Sequence, residues 1–187
     1  MRPAVFLDRD GTIIQHVHHL NRVEDVALIP GVGPALQRLS EAGYANVVVT
    51  NQSVVARGLL DIPGLERIHE RLTELLEAEG AKLDGIYYCT TMPGTSDQTA
   101  IEDRNRKPGP GMLEQAAREL DLDLAASYMI GDSLSDLWAG KNAGCRESLL
   151  VLTGYGQATL GKEPNAWRSA PTIVEASAMI LEATKRN

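Results

Sequence analysis

Acidic side chains stand directly after two short apolar runs of the sequence. Asp8 and Asp10 follow residues 4–7, and Asp132 follows residues 127–130. Carboxylates that are brought together repel one another unless a cation lies between them. A site with few protein carboxylates, several waters and a substrate phosphate suits Mg²⁺, which prefers hard oxygen ligands. These acids therefore predict a magnesium site at which a phosphate group reacts.

Covalent phosphoryl transfer at such a site needs a further set of groups. One carboxylate can attack phosphorus to form an aspartyl-phosphate, and a carboxyl two residues later can protonate the leaving oxygen and then activate water. A hydroxyl and an ammonium group hold the equatorial oxygens, where charge accumulates. Thr50 follows another apolar run, and Lys107 precedes the run at 127–130. Asp8, Asp10, Thr50 and Lys107 are thus the catalytic candidates.

Segments with strand and helix patterns alternate along the chain. Short apolar or β-branched runs predict strands, and longer segments with apolar residues at helical spacing predict helices. The predicted strands cover 4–7, 45–50, 85–89, 127–130 and 148–152, and the predicted helices cover 32–42, 62–79, 111–120, 133–143 and 172–184. This alternation is typical of an α/β protein with a doubly wound parallel sheet. Ligands bind such sheets at the carboxyl ends of the strands, where the catalytic candidates stand.

Length and composition are those of an ordinary globular domain. The 187 residues are 43% hydrophobic and 23% charged, with a formal net charge of −7, and an acidic chain is a poor candidate for binding nucleic acid. The apolar runs are far shorter than the ~20 residues of a spanning helix, and two cysteines cannot form a disulfide framework. We expect one domain over 1–187, acting as a cytoplasmic monomer without nucleic-acid or membrane partners.

Four motifs lie in order at the predicted strand ends. They are DRDGT at 8–12, TNQS at 50–53, KP at 107–108 and GDSLSD at 131–136. Together they resemble the motifs of the haloacid dehalogenase superfamily of phosphatases, over roughly residues 4–155. The resemblance implies a Rossmann-like core and Mg²⁺-dependent hydrolysis of a small phosphorylated substrate. The spacing between the motifs leaves no room for a large cap domain.

The resemblance also implies a role for each motif residue. Asp8 is expected to be the nucleophile and a Mg²⁺ ligand, and Asp10 the acid/base, with its backbone carbonyl on the metal. Thr50 and Lys107 are expected to stabilise the phosphoryl group, and Asp132 to complete the metal site. The residues expected to contact substrate are Arg9, His16, His19, Asn51, Gln52, Ser53, Arg57 and Arg106.

The loop after the third predicted strand departs from the pattern of the most similar superfamily members. Many of these hold zinc there through Cys-x-His and Cys-x-Cys. Here Cys89 is present, while Thr91, Asp103 and Asn105 occupy the other three positions. One cysteine cannot complete a tetrahedral zinc site. We therefore expect no zinc, and local pairing of Asp103 with Arg104 is one way to order this loop.

Three further segments have competing interpretations. The histidines of His16-Val-His-His19 are assigned to a solvated or substrate-facing loop, because no carboxylate spacing supports a metal cluster. Asp136, one helical turn after Asp132, either supports the site or lies on the surface. Residues 156–162 match GxxxxGK, but Glu163 follows where a nucleotide-binding loop needs Ser or Thr, so a surface loop is expected.

The preferred functional hypothesis is hydrolysis of a sugar bisphosphate. Its second phosphate would be bound by Arg106 or Arg57, because a guanidinium group binds phosphate bidentately. One alternative is a phosphatase of histidinol phosphate or another small phosphomonoester. Another is a non-catalytic module that binds or accepts phosphate. Asp10 argues against the module, which has no use for an acid/base two residues after the nucleophile.

Overall fold

The computed structural model describes residues 1–185 and confirms the α/β architecture. These residues form one six-stranded sheet in the order β3-β2-β1-β4-β5-β6, in which all neighbouring strands are parallel. The strands are β1 (Ala4–Leu7), β2 (Ala45–Asn51), β3 (Gly85–Cys89), β4 (Tyr128–Gly131), β5 (Glu147–Val151) and β6 (Arg168–Ala170). The helices are α1 (Val32–Glu41), α2 (Ile62–Ala78), α3 (Gly111–Glu119), α4 (Leu134–Asn142), α5 (Gly156–Lys162) and α6 (Ile173–Lys185).

Both faces of the sheet are covered, as expected for a parallel sheet. Successive residues of a strand point to opposite faces. Val5 and Leu7 of β1 therefore pack in a core with residues of α1, α2 and α6. Ala4 and Phe6 pack on the other face, in a core that includes residues of α3. The strand order reverses between β1 and β4, so the carboxyl ends of these two strands flank a crevice.

The helix α2 shows how the sequence fixes an element that borders the site. Asp61 begins it as the N-cap, and its side chain accepts a hydrogen bond from Gly64 N at 2.8 Å. Ile68 and Leu72 lie on its buried face, and His69 is buried beside them. No helix within residues 1–185 is long and apolar enough to cross a membrane.

The predicted elements agree with the structure to within one residue at either end, but two elements were not predicted. The prediction of a surface loop over 156–162 is wrong, because this segment forms the helix α5. The short helix is anchored by Thr159, whose Oγ1 donates to the backbone oxygen of Asp132 at 2.8 Å. The strand β6 has three residues, too few for an alternating pattern to be recognised. Within residues 1–185, loops rather than a cap domain cover the carboxyl ends of the strands.

Candidate active site

A cleft of about 270 Å³ lies at the carboxyl ends of β1, β2 and β4. It brings together most of the residues that the sequence singled out. Those lining it are Asp8, Arg9, Asp10, His16, His19, Asn51, Gln52, Ser53, Arg106, Lys107 and Asp132. Thr50, at the end of β2, is buried just behind this lining. Arg57 is exposed and does not line the cleft.

The ammonium group of Lys107 lies at the centre of the charged groups. Its Nζ is 2.6 Å from Asp8 Oδ1 and 2.6 Å from Asp136 Oδ1, and it donates to Val49 O at 2.7 Å. The lysine side chain is 1% exposed. Burial opposes its charge, but Asp136 and Asp8 more than offset that penalty and raise its pKa. Lys107 therefore stays positively charged next to the candidate nucleophile.

Asp136 belongs to the site, so the alternative of a surface position is wrong. Its carboxylate is buried, with Oδ1 on Lys107. Its Oδ2 accepts hydrogen bonds from Ser133 N at 3.0 Å and from Ser133 Oγ at 2.6 Å. These bonds satisfy the first turn of α4 in the manner of a capping box. The same carboxylate thus caps the start of α4 and binds Lys107.

Two loops enclose Asp132, and they can approach its side chain closely only because each has a glycine at the point of contact. Gly11 and Gly154 both have positive φ, at 82° and 54°. A Cβ at either glycine would lie 2.2 Å or 2.0 Å from Asp132 Oδ2. The same oxygen accepts a hydrogen bond from Tyr155 N at 2.8 Å. The loops after β1 and β5 therefore fix the orientation of this carboxylate.

The buried carboxylates suit a divalent cation. Ligand oxygens of Asp8, Asp132 and Asp136 lie within 4.8 Å of one another, and no other set of metal-ligand side chains in residues 1–185 does so. Burial, against the opposing charge of Lys107, raises the pKa of Asp8 to about 7. Burial and the charge of Asp8 raise the pKa of Asp132 to about 8. The raised pKa values mean that Asp8 and Asp132 do not ionise readily when no cation is bound. A bound Mg²⁺ would favour their ionised forms, so these carboxylates fit that ion.

Asp10 is held by a network of side chains rather than pointing freely into the cleft. Arg9 donates from Nε to Asp10 Oδ2 at 3.0 Å and from Nη2 to Oδ1 at 3.1 Å. Gln52 donates from Nε2 to Asp10 Oδ2 and to Thr50 Oγ1, both at 2.8 Å. Because Thr50 Oγ1 accepts this bond, its own proton can be donated to a phosphoryl oxygen.

Arg9 and Asn51 both line the cleft, and both are also engaged in hydrogen bonds with other protein groups. The Arg9 side chain is 1% exposed, and its guanidinium is engaged with Asp10, with Gln52 Oε1 at 2.9 Å and with His69 Nε2 at 3.2 Å. Asn51 Nδ2 donates to the backbone oxygen of Lys107, and Lys107 N donates to Asn51 Oδ1, both at 3.0 Å. Arg9 thus contacts Asp10, and Asn51 contacts the backbone of Lys107.

His69, on α2, was not identified from the sequence. Burial and the neighbouring Arg9 charge lower its pKa to about 4. Tyr155 was missed as well. It lines the cleft, and its ring meets His16 edge-on at a centroid distance of 4.4 Å. Since Tyr155 follows β5, the strand-end rule that found Asp8 and Asp132 could have found it. The other cleft residues that were not predicted as site residues are Val17, Leu20, Val54, Gln98, Ser133 and Ser135.

The histidine-rich loop and Arg106 form the outer part of the cleft. His16, His18 and His19 all line it, and they belong to no metal-ligand cluster among residues 1–185. Arg106 borders both this cleft and a neighbouring one of about 210 Å³. Burial lowers the pKa of Arg106, and the charge of Arg57 adds to this effect.

The loop after β3 is held by hydrogen bonds among Cys89, Thr91, Asp103 and Asn105, the four positions at which the sequence was compared with a zinc-binding pattern. Thr91 Oγ1 donates to Asp103 Oδ2 at 3.1 Å, and Cys89 Sγ lies 3.1 Å from Thr91 Oγ1. Asn105 N donates to Asp103 Oδ1 at 2.8 Å. The expected pairing of Asp103 with Arg104 is wrong, because Arg104 forms an ion pair with Glu114 on α3 instead.

The doubly wound sheet and the four motifs at its strand ends define a hydrolase of the haloacid dehalogenase class. Residues 104–177 match the HAD-hydrolase-like family model. A D-glycero-D-manno-heptose-1,7-bisphosphate 7-phosphatase from Thermosynechococcus vestitus is 43% identical over 164 residues, 85% of this chain and 83% of its own. The D-glycero-beta-D-manno-heptose-1,7-bisphosphate 7-phosphatase of Escherichia coli K12 is 38% identical over 98% of this chain and 94% of its own.

A solved structure agrees with these relatives. The D,D-heptose 1,7-bisphosphate phosphatase from B. bronchiseptica, complexed with magnesium and phosphate, superposes with a TM-score of 0.86 at 34% identity. The match covers 97% of this chain and 99% of that one. The chain therefore belongs to the heptose-1,7-bisphosphate 7-phosphatase family of haloacid dehalogenase-like hydrolases.

The positions of Asp8 and Asp10 predict the effect of replacing each aspartate by asparagine. Asp8→Asn keeps the shape of the side chain but removes the attacking charge, so kcat/KM for phosphate release should fall by at least ~10³. Asp10→Asn should lower it by about 10²–10⁴ through lost proton transfer. Circular dichroism should show that both variants are folded. Near-native turnover by Asp8→Asn would contradict the assignment of the nucleophile.

The raised pKa values of Asp8 and Asp132 predict a pH-dependent effect of Mg²⁺ on stability. Between the ordinary carboxyl pKa of 3.8 and about 8, the folded metal-free protein retains protons that the unfolded chain has released. Its free energy of unfolding therefore falls as pH rises through this window. Mg²⁺ binds the ionised carboxylates, so it should raise Tm by several degrees at about pH 8 and far less at about pH 5.

Thermal unfolding with Mg²⁺ or EDTA at both pH values measures this effect. Asp132→Asn is the matched variant, because it keeps the side-chain shape and removes one charged ligand. The increase in Tm should be smaller in this variant. An equal increase at the two pH values, or one that Asp132→Asn leaves unchanged, would argue against the site.

Proposed function

We propose that this chain hydrolyses the 7-phosphate of D-glycero-D-manno-heptose 1,7-bisphosphate through an aspartyl-phosphate on Asp8. The observation that carries the proposal is the buried contact of 2.6 Å between Asp8 Oδ1 and Lys107 Nζ, next to a carboxylate cluster that fits Mg²⁺. The names of the similar enzymes support the choice of substrate. The product would enter the synthesis of nucleotide-activated heptose for cell-surface glycans.

Asp8 and Asp10 carry the first half of the reaction. An oxygen of Asp8 forms a bond to phosphorus while the bond from phosphorus to the sugar oxygen breaks. Asp10 donates its proton to that leaving oxygen. Thr50 and Lys107 stabilise the phosphoryl oxygens, on which negative charge increases.

The second half releases phosphate and restores the enzyme. Asp10, now ionised, takes a proton from a water molecule as its oxygen attacks phosphorus, and the bond between phosphorus and Asp8 breaks. Asp8, Asp132 and the backbone carbonyl of Asp10 would hold Mg²⁺. The ion would offset the repulsion between an anionic nucleophile and an anionic substrate.

Arg106 is the group best placed to bind a second phosphate. Lys107 is committed to Asp8 and Asp136, whereas Arg106 lines the cleft with only one hydrogen bond within the described chain, from Nη1 to Thr91 O at 2.6 Å. A guanidinium group binds phosphate bidentately, which fixes orientation as well as charge. His16, His19 and Ser53 would contact the sugar, and the exposed Arg57 would add positive charge near Arg106.

We also propose that the enzyme holds no zinc and works as a cytoplasmic monomer on a small-molecule substrate. The positions at which relatives carry zinc ligands hold Thr91 and Asp103, which hydrogen bond to each other. The predicted catalytic groups that line the cleft, Asp8, Asp10 and Lys107, all belong to this chain. Cys89 and Cys145 are both free, which suits a reducing compartment.

Substrate preference tests the proposed function. The heptose 1,7-bisphosphate should exceed its monophosphate, histidinol phosphate and fructose 1,6-bisphosphate in kcat/KM, and the bisphosphate should exceed the monophosphate by at least ~10-fold. The reason is that a remote phosphate supplies binding energy that positions the reacting one. Comparing the two anomers of the bisphosphate identifies the preferred one.

Arginine variants show which side chain recognises the second phosphate. Arg106→Ala should reduce the preference for the bisphosphate while leaving slow hydrolysis of a simple monophosphate largely intact. Arg57→Ala, which removes an exposed guanidinium outside the cleft lining, should cause a smaller loss. If Arg106→Ala keeps the full preference, or if mono- and bisphosphates react equally well, a general phosphomonoesterase is the better description.

Metal content tests the proposal about cofactors. The purified protein should contain no stoichiometric zinc, because a cluster with one cysteine and no histidine lacks the ligands of a closed tetrahedral site. It should lose activity in EDTA, and Mg²⁺ should restore it. Elemental analysis measures the zinc content, and about one tightly held zinc per chain would refute this assignment of the loop.

A further inference from the structure

We propose that His69 is a positioning residue for the reaction, acting on the acid/base Asp10 through the guanidinium group of Arg9. The helix α2 presents His69 to the back of the site, 60 residues away in sequence from Arg9. Its Nε2 lies 3.2 Å from Arg9 Nη1, and both side chains are buried. This inference rests on the proposed function, since it concerns the residue that transfers the proton.

The chemistry of the two side chains fixes the direction of this hydrogen bond. A guanidinium group has five N–H donors and no acceptor, so Arg9 donates and His69 Nε2 accepts. The imidazole is therefore neutral and carries its proton on Nδ1. His69 thus supplies a lone pair to the buried guanidinium of Arg9. Within residues 1–185, no acidic side chain of α2 forms a hydrogen bond with this guanidinium.

The remaining donors of Arg9 show why this lone pair matters for Asp10. Nε and Nη2 bind the two carboxylate oxygens of Asp10, and Nη2 also binds Gln52 Oε1. The guanidinium is planar and rigid, so a partner on Nη1 fixes the orientation of the other two nitrogens. Without His69, Nη1 would lose a partner at a site that is 1% exposed. The guanidinium would then turn toward another acceptor and take the carboxylate with it.

The consequence for catalysis depends on the leaving group. Asp10 donates a proton to the leaving oxygen, so a displaced carboxyl slows the release of a poor leaving group. p-Nitrophenolate leaves without protonation, whereas phenolate gains much more from it. The values of kcat/KM for p-nitrophenyl phosphate and phenyl phosphate report on phosphorylation of Asp8 alone, and neither substrate requires recognition of a sugar.

Three variants separate positioning from general stability. His69→Leu removes the acceptor at similar size, and His69→Gln places an amide oxygen near the position of Nε2. Glu70→Gln changes the adjacent, exposed residue of α2 and serves as the control. His69→Leu should lower kcat/KM for phenyl phosphate about tenfold and that for p-nitrophenyl phosphate less than about twofold. His69→Gln should recover most of the loss, and Glu70→Gln should resemble the unmodified protein.

Crystal structures of the His69 variants provide a readout that is independent of activity. The contacts of Arg9 with both oxygens of Asp10 should be lost or lengthened in His69→Leu and kept in His69→Gln. The proposal is overturned by equal losses on the two aryl phosphates, by an unchanged ratio in His69→Leu, or by an Arg9–Asp10 contact that survives that substitution. Failure to hydrolyse the heptose bisphosphate would contradict the proposed substrate and leave these ratios and contacts unaffected.

Discussion

The buried ammonium group of Lys107 contacts two carboxylates, those of Asp8 and Asp136, on one side of the cleft. Removing such charges from water is costly unless their geometry is well fixed. The surrounding structure supplies that geometry, because Val49 O accepts from Nζ and the amide of Asn51 binds the lysine backbone on both sides. With Asp132 included, the site holds three carboxylates for one ammonium group. The imbalance makes a divalent cation part of the working enzyme rather than an accessory.

The carboxyl end of β2 connects the charged groups around Lys107 to Asp10. Asn51 donates to the backbone oxygen of Lys107, and Gln52 donates to both Asp10 Oδ2 and Thr50 Oγ1. Gln52 therefore links Asp10 to Thr50, while Asn51 holds the lysine that binds Asp8. Three consecutive polar residues thus connect the Asp8 side of the cleft to the Asp10 side.

The sequence predicted the parts of the molecule whose signal is local. Strands such as β1 have continuous apolar runs, and the strand-end rule placed Asp8, Thr50 and Asp132 on one edge. The sequence could not show how polar groups divide between substrate and protein, because that depends on distant partners. His69 has the pattern of an ordinary helix residue beside Ile68, yet its contact is with Arg9 across the fold. The short elements α5 and β6 were missed because tertiary contacts, rather than propensity or periodicity, stabilise them.

The loop after β3 contacts Arg106 through a short chain of hydrogen bonds. Arg106 Nη1 donates to Thr91 O, and the hydroxyl of Thr91 donates in turn to Asp103. In this chain the orientation of the guanidinium therefore depends on a few hydrogen bonds, each with a net contribution of about 1 kcal/mol, where a zinc site would impose a fixed tetrahedral geometry. A loop held in this way can be displaced at small energetic cost. A second phosphate bound bidentately by Arg106 would add a further fixed contact to this guanidinium, so part of its binding energy would be used in ordering the loop.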